Sequence, residues 1–368
     1  MATLTMRAAV LHEPGKPMSI HDVQLREPEH GEVLIRTASV GVCGTDLHFA
    51  QGRFPYPTPT VLGHEASGVV EQVGPGVTSI QAGDRVLVCD QMPCGRCGPC
   101  LSGRMVYCTD VSAKVRQRGR LCLDDQPLRQ YLGVSALAEL MLVDAAGVIP
   151  IPGDLSFAAA ALLGCCLTTG AATIFNTARL RPGQRVLVIG CGGVGLGAIQ
   201  AARIGGAAHI IAVDPVPHRR DAAAALGATA TLDPTDTSTG TDDLIAAIMA
   251  AGGERGVDVA VEAVGEPDLA TAAFSTLAPG GQAIIVGMMP AGGDIRLPAS
   301  LLRHGRSMAG SVMGEVRSRH DIPAYMRMVT GGHLVADELA TSCWPLEEVN
   351  TAFEHAAARK GVRAMIEF

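Results

Sequence analysis

The segment Arg185–Ile189 (RVLVI) is an apolar run of strand length that leads directly into Gly190-Cys191-Gly192-Gly193-Val194-Gly195 and then into the Ala-rich stretch Leu196–Ile204. Strand, GxGxxG turn and helix in that order commit this part of the chain to a parallel α/β unit. The first glycine permits the tight bend, the second lets backbone approach a pyrophosphate, and the third lets the helix pack closely on the strand. The helix start then offers free N–H groups and a positive dipole end to phosphates. The chain has 44 glycines, so a lone match is weak and its context decides. His209–Val213, Val257–Val261 and Ala283–Val286 read as further short strands, with a helical piece at Ala222–Leu226. This alternation predicts a parallel sheet covered on both faces. Asp214 ends the second strand, 24 residues beyond Gly190. An acid there suits the adenosine ribose hydroxyls and repels a 2′-phosphate, which predicts NAD over NADP. Arg219 and Arg220 lie just beyond and soften that preference.

The first 150 residues have a different texture. Glu32–Ala38, Gly68–Val73 and Arg85–Cys89 are short apolar segments separated by turns such as Gly74-Pro75-Gly76 and Ala82-Gly83-Asp84, which predicts a β-rich domain. From about Val312 a helix is expected near Ile322–Met328 and a last strand at Arg363–Phe368. A length of 368 residues accommodates two domains. A net charge of −7 with no basic block gives no reason to expect nucleic acid or an acidic membrane as partner. The N-terminus lacks the pattern of a signal peptide, and no stretch reaches the roughly 18 apolar residues of a membrane span. A cytoplasmic protein is expected.

In a reducing compartment eleven cysteines point to metal or catalysis rather than disulfides. Cys94, Cys97, Cys100 and Cys108 follow C-x2-C-x2-C-x7-C in a Gly-rich loop. Four thiolates can surround zinc tetrahedrally with no position left for substrate, which makes such a site structural. Iron–sulfur ligation and disulfides are the competing readings.

Two further segments, Gly41-Val42-Cys43-Gly44-Thr45-Asp46-Leu47-His48 and Gly63-His64-Glu65, precede the cysteine cluster. With these motifs in this order, the chain resembles the zinc-containing medium-chain alcohol dehydrogenases essentially end to end. The resemblance implies an α/β protein with a GroES-like β-rich catalytic domain (1–166 and 313–368) and a Rossmann coenzyme domain (167–312). It implies a catalytic zinc on Cys43, His64 and Cys165, with Cys166 as the alternative third ligand, and a second, structural zinc on the four-cysteine loop. Three protein ligands would leave a fourth position for substrate. Thr45 and His48 would relay the proton, Asp46 would orient His64, and Glu65 would be either a transient ligand or a buried structural carboxylate. Thr169, Val194, Val286 and Arg363 match positions that contact the cofactor.

The expected activity is hydride transfer between NAD and a primary or secondary alcohol, aromatic ones included. A polyol or amino-alcohol dehydrogenase of the same fold is the first alternative, and a non-catalytic NAD-binding protein the second. Gly44 replaces the Arg or His of several relatives, so weaker cofactor binding is expected. The short aromatic loop Phe49–Pro59 differs from that of glutathione-dependent formaldehyde-oxidising relatives and ranks that activity low. Val111–Gly133 resembles the extra loop of the dimeric branch, so a homodimer is expected. The spacing of Asp90 before Cys94 hints at a polar substrate.

Overall fold

The computed structural model describes residues 3–111, 119–235, 240–252 and 255–368. They form two compact units: Met1–Cys165 with Arg317–Gly332 and Ala336–Phe368, and Cys166–Val316 with His333–Val335.

In the first unit, Thr3–Leu11 starts with Met6 and Ala8 inward and Thr5 and Arg7 outward, then buries every residue from Ala9 to Leu11. This period of two is what one buried sheet face requires. The strand closes a small barrel with Ser19–Arg26, Leu121–Leu123, Gln126–Gln130 and Thr60–Val61. Beside it a second sheet runs in the order Val148–Pro150, Arg85–Val88, Glu65–Val73, Glu32–Gly41, Arg363–Glu367, Ala340–Pro345, with Leu140–Asp144 also paired to Glu32–Gly41. A single core that includes Val10, Leu25, Ile35, Leu62, Val86, Leu142 and Ile366 lies under both sheets.

Residues 112–118 of the expected dimer loop lie outside the described residues. The rest is not a surface loop throughout. Leu121–Leu123 and Gln126–Gln130 form an antiparallel hairpin of the barrel. Its two-residue turn puts Asp124 and Asp125 at φ +49° and +61°, a conformation that aspartate tolerates better than most residues.

The second unit is a six-stranded sheet, parallel throughout, in the order Ala230–Leu232, His209–Val213, Arg185–Ile189, Val257–Glu262, Leu277–Ile285, Ser307–Gly310. Numbered along the chain this is 3-2-1-4-5-6, the doubly wound dinucleotide order, in which ligands bind beyond the strand ends where the order reverses. Arg185–Ile189 and Val257–Glu262 flank that reversal. The core of this unit includes Leu187, Ile211, Val257, Phe274 and Ala283. No single helix among the described residues is long and apolar enough to cross a membrane.

Candidate functional site

Sheet register assembles the first site. Gly41 pairs with Glu65 and with Met365, so Cys43, His64 and Arg363 leave neighbouring strands at one end of the sheet. Cys165 arrives from the helix Phe157–Gly164, as the residue that caps its C-terminus. The ligand atoms of Cys43, His64 and Cys165 all lie within 4.8 Å of one another, and Cys165 Sγ is 3.4 Å from His64 Nε2. A tetrahedral zinc with the usual bond lengths would place sulfur and nitrogen about 3.6 Å apart. The donor set and its spacing therefore fit zinc. Cys165, not Cys166, makes the set.

Asp46 organises this cluster from the helix Gly44–Ala50. Its carboxylate, 1% exposed, accepts from Cys43 N–H at 3.0 Å, Gly63 N–H at 3.3 Å and His64 Nδ1 at 3.0 Å. With its proton on Nδ1, the imidazole turns Nε2 toward the sulfurs. Burial opposes a charged imidazole, yet the charge and hydrogen bond of Asp46, aided by Cys43, hold His64 well above the ordinary histidine range. Cys43 is drawn well below the ordinary thiol range, chiefly by its hydrogen bond with Cys165 and, against burial, by His64 and Arg363. The same bond, then burial, pushes Cys165 well up. A divalent cation would compete with protons for these donors.

Thr45 and His48 share the helix with Asp46 and are partly exposed. The His48 ring packs edge-on against Phe54 at 5.7 Å. Glu65 is fully buried, its Oε1 3.4 Å from Arg363 Nε, and Arg363 Nη1 donates to Val42 O at 3.0 Å. Gly44 is exposed, and nothing lies within 4 Å of where a Cβ would stand, so the backbone leaves room for a larger residue. The motifs give no sign of Tyr131, whose ring packs at 5.9 Å from that of His64. Its position depends on a local turn with Leu132 and Ser135 at φ +48° and +56°, which no residue pattern announces.

The second cluster is built around the short helix Gly98–Leu101, with Cys94 and Cys97 before it, Cys100 in it and Cys108 after it. Cys94, Cys97, Cys100 and Cys108 again have ligand atoms within 4.8 Å of one another. Cys94 and Cys100 sulfurs are 4.0 Å apart, and those of Cys97 and Cys108 3.8 Å. Zinc–sulfur bonds of about 2.3 Å in a tetrahedron require sulfurs about 3.8 Å apart, which these distances approach. Backbone N–H groups of Cys100 and Thr109 pull the Cys97 thiol down to about 6, so a thiolate is ready for a cation. All eleven cysteines are unpaired.

In the second unit Gly190 sits at φ +94°, and a Cβ on Gly195 would lie 1.8 Å from Gly190 O. The helix Gly193–Ile204 follows at once, with Gly192 as its cap and Val194 partly exposed in its first turn. Asp214 is 4% exposed; it accepts from Cys191 N–H at 2.8 Å and Val216 N–H at 2.9 Å. It therefore braces the glycine turn, a role the spacing argument did not foresee. A carboxylate has about four acceptor sites, so two bonds leave capacity for ribose hydroxyls. Arg220 donates to Asp214 O and pairs with Asp233 at 2.7 Å, which turns it away from a free phosphate-binding role. Arg219 is partly exposed beside it. Thr169 is buried in the helix Cys166–Ala172, and Val286 follows the strand Leu277–Ile285 with its N–H on Glu262 O.

Comparison with known proteins agrees with this geometry. Residues 29–153 match the alcohol dehydrogenase GroES-like domain, and residues 193–331 the zinc-binding dehydrogenase domain. The chain is 34% identical to the S-(hydroxymethyl)glutathione dehydrogenase of Escherichia coli O157:H7, over 98% of this chain and 99% of that one. It superposes with a TM-score of 0.92 and 31% identity on an alcohol dehydrogenase zinc-binding domain protein from Burkholderia ambifaria, over the full length of both. The benzyl alcohol dehydrogenase of Acinetobacter calcoaceticus gives 0.91 and 29%, over 99% of each chain.

Proposed function

The chain belongs to the zinc-containing medium-chain alcohol dehydrogenase family, and from that premise we propose that it carries one catalytic and one structural zinc and passes hydride reversibly between an alcohol carbon and NAD. The observation that carries this reading is the convergence of Cys43, His64 and Cys165 from three separate segments on one point. When bound there, zinc supplies Lewis-acid polarisation of the substrate oxygen and lowers the pKa of the group it binds. Asp46 holds His64 in the ligating tautomer, and the Glu65–Arg363 pair fixes the end of the sheet behind the ligands. Thr45 takes the proton from the alcohol hydroxyl and His48 passes it to solvent. Gly190, Gly192, Gly193, Val194 and Gly195 hold the dinucleotide phosphates, Asp214 the adenosine ribose, and Thr169, Val286, Arg219 and Arg363 its remaining parts. Cys94, Cys97, Cys100 and Cys108 hold the structural ion. In this reading residues 1–166 and 313–368 are the catalytic domain, residues 167–312 bind NAD, and the enzyme works as a cytoplasmic homodimer.

The relatives named for S-(hydroxymethyl)glutathione favour that substrate, whereas the short aromatic loop Phe49–Pro59 disfavours it; a small alcohol, primary or secondary, is the better match. Metal analysis and a panel of primary, aromatic and polyhydroxy alcohols together with S-(hydroxymethyl)glutathione test the reading. We expect two zinc ions per chain and NAD-dependent turnover, and Cys43→Ser should abolish turnover while leaving the fold intact. A Cys43→Ser enzyme with near-normal kcat would rule out this ligand set.

A further inference from the structure

Among the described residues, Asp90 is the one acid beside the Cys43–His64–Cys165 cluster that the reaction above leaves without a task. The antiparallel ladder between Glu65–Val73 and Arg85–Val88 ends at the pair Ala66 and Val88. His64 lies two residues before that pair on one strand and Asp90 two residues after it on the other, so both emerge from the same end of adjacent strands. Asp90 is an electrostatic neighbour of Cys43 and His64, and acts in turn on Cys165 and Tyr131. It is nevertheless not part of the converging ligand set. It does not orient His64 either, because Nδ1 is taken by Asp46 and Nε2 faces Cys165. Among the described residues the only side chain bonded to it is Gln91, whose Nε2 donates at 3.2 Å.

A carboxyl half-withdrawn from water beside cysteine ligands is costly, and an apolar residue would cost less. A polar group on a bound molecule would offset that cost. Nearby, the Tyr131 hydroxyl is a second buried polar group, without a hydrogen-bond partner among the described residues. We propose that Asp90 determines specificity by hydrogen-bonding a second hydroxyl of the alcohol, so that the substrate class is a diol or longer polyhydroxy alcohol. This rests on the dehydrogenase reading above. A hydroxyl can donate to a carboxylate or accept from a carboxyl, so the recognition does not depend on how Asp90 titrates.

The test compares kcat/KM for matched pairs, propan-1-ol with propane-1,2-diol and butan-2-ol with butane-2,3-diol, in the wild-type holoenzyme and in Asp90→Leu and Asp90→Asn. The diol-to-monoalcohol ratio is internal to each preparation, so partial misfolding cancels. The ratio is expected to fall at least about tenfold in Asp90→Leu, and severalfold in the nearly isosteric Asp90→Asn, which decides the matter if the leucine variant does not fold. An unchanged ratio in active variants overturns the assignment of Asp90 alone. Failure of the wild-type enzyme to oxidise any alcohol overturns the dehydrogenase reading, and this proposal with it.

Discussion

Asp46 shows how much chemistry one side chain can organise. Its carboxylate collects two backbone N–H groups and the imidazole that would hold the metal. Asparagine has the same shape but would face one of these donors with its own NH2 group. In Asp46→Asn the cation affinity of the Cys43–His64–Cys165 set should therefore fall about 10- to 100-fold, as it does when the partner of a ligating histidine is removed. Dialysis against a graded chelator followed by metal analysis checks this: the variant should lose one ion per chain at chelator levels the wild-type enzyme withstands, and equal retention would show that Asp46 serves the fold only. At this scale the cysteines and histidine that cluster here were legible, since each lies in a short motif whose chemistry is local. Tyr131 and the brace from Asp214 to Cys191 were not. The first depends on two left-handed residues in a turn, and the second on an acid reaching across from the neighbouring strand.

Elements differ in what holds them. The strand Arg185–Ile189 and the helix Gly193–Ile204 are anchored in a packed core, and Gly190 and Gly195 where they meet have no room for a side chain. Gly195→Ala would drive a methyl to 1.8 Å from Gly190 O, so helix or turn must shift. Dinucleotide affinity should fall at least about tenfold while the sheet persists, read by titration calorimetry beside far-UV circular dichroism; unchanged affinity would mean that the phosphates are held elsewhere. The four-cysteine loop is the opposite case. Its helix Gly98–Leu101 buries only Cys100 and leaves Leu101 75% exposed, so it has almost no core of its own. Metal ligation would then be its main source of order. Cys100→Ser should make residues 94–108 the first site of limited proteolysis, identified by mass spectrometry, and a loop as resistant as in wild type would rule out a structural ion. The four central strands of the second unit could be read from alternating texture, whereas the short edge strands Ala230–Leu232 and Ser307–Gly310 could not. The barrel hairpin at Leu121–Gln130 could not, because its strands are short and its turn carries two aspartates instead of glycine.

The stability of the molecule also depends on a buried ionic knot that no motif foretold. Glu32 is fully buried and bonds Arg26 at 2.6 Å and Arg120 at 2.7 Å, while Arg120 is itself 1% exposed. Gln130 Oε1 and Leu142 O accept further bonds from Arg120, which ties the barrel to the neighbouring sheet of the first unit. Single-sequence reading places charged residues at the surface, and only the fold reveals that these three pair with one another inside it. Burial pushes Glu32 upward, but the Arg26 hydrogen bond and the Arg120 charge outweigh it and hold the carboxyl below its ordinary value of 4.5. A depressed folded-state pKa contributes stability that is fully present above the unfolded value and is lost as pH falls through the folded one. Glu32→Gln removes that contribution and leaves the Arg120 guanidinium without its countercharge, which should cost about 3–5 kcal/mol near neutral pH. The gap between wild type and variant should stay wide from pH 7 down to about 5 and narrow below that, as protonation brings Glu32 toward the neutral glutamine. Urea denaturation across this range measures the gap directly, and because both proteins share every other titrating group, only the Glu32 contribution survives the subtraction. A gap that stayed constant below pH 4.5 would mean that the two arginines are held by packing and not by the charge between them.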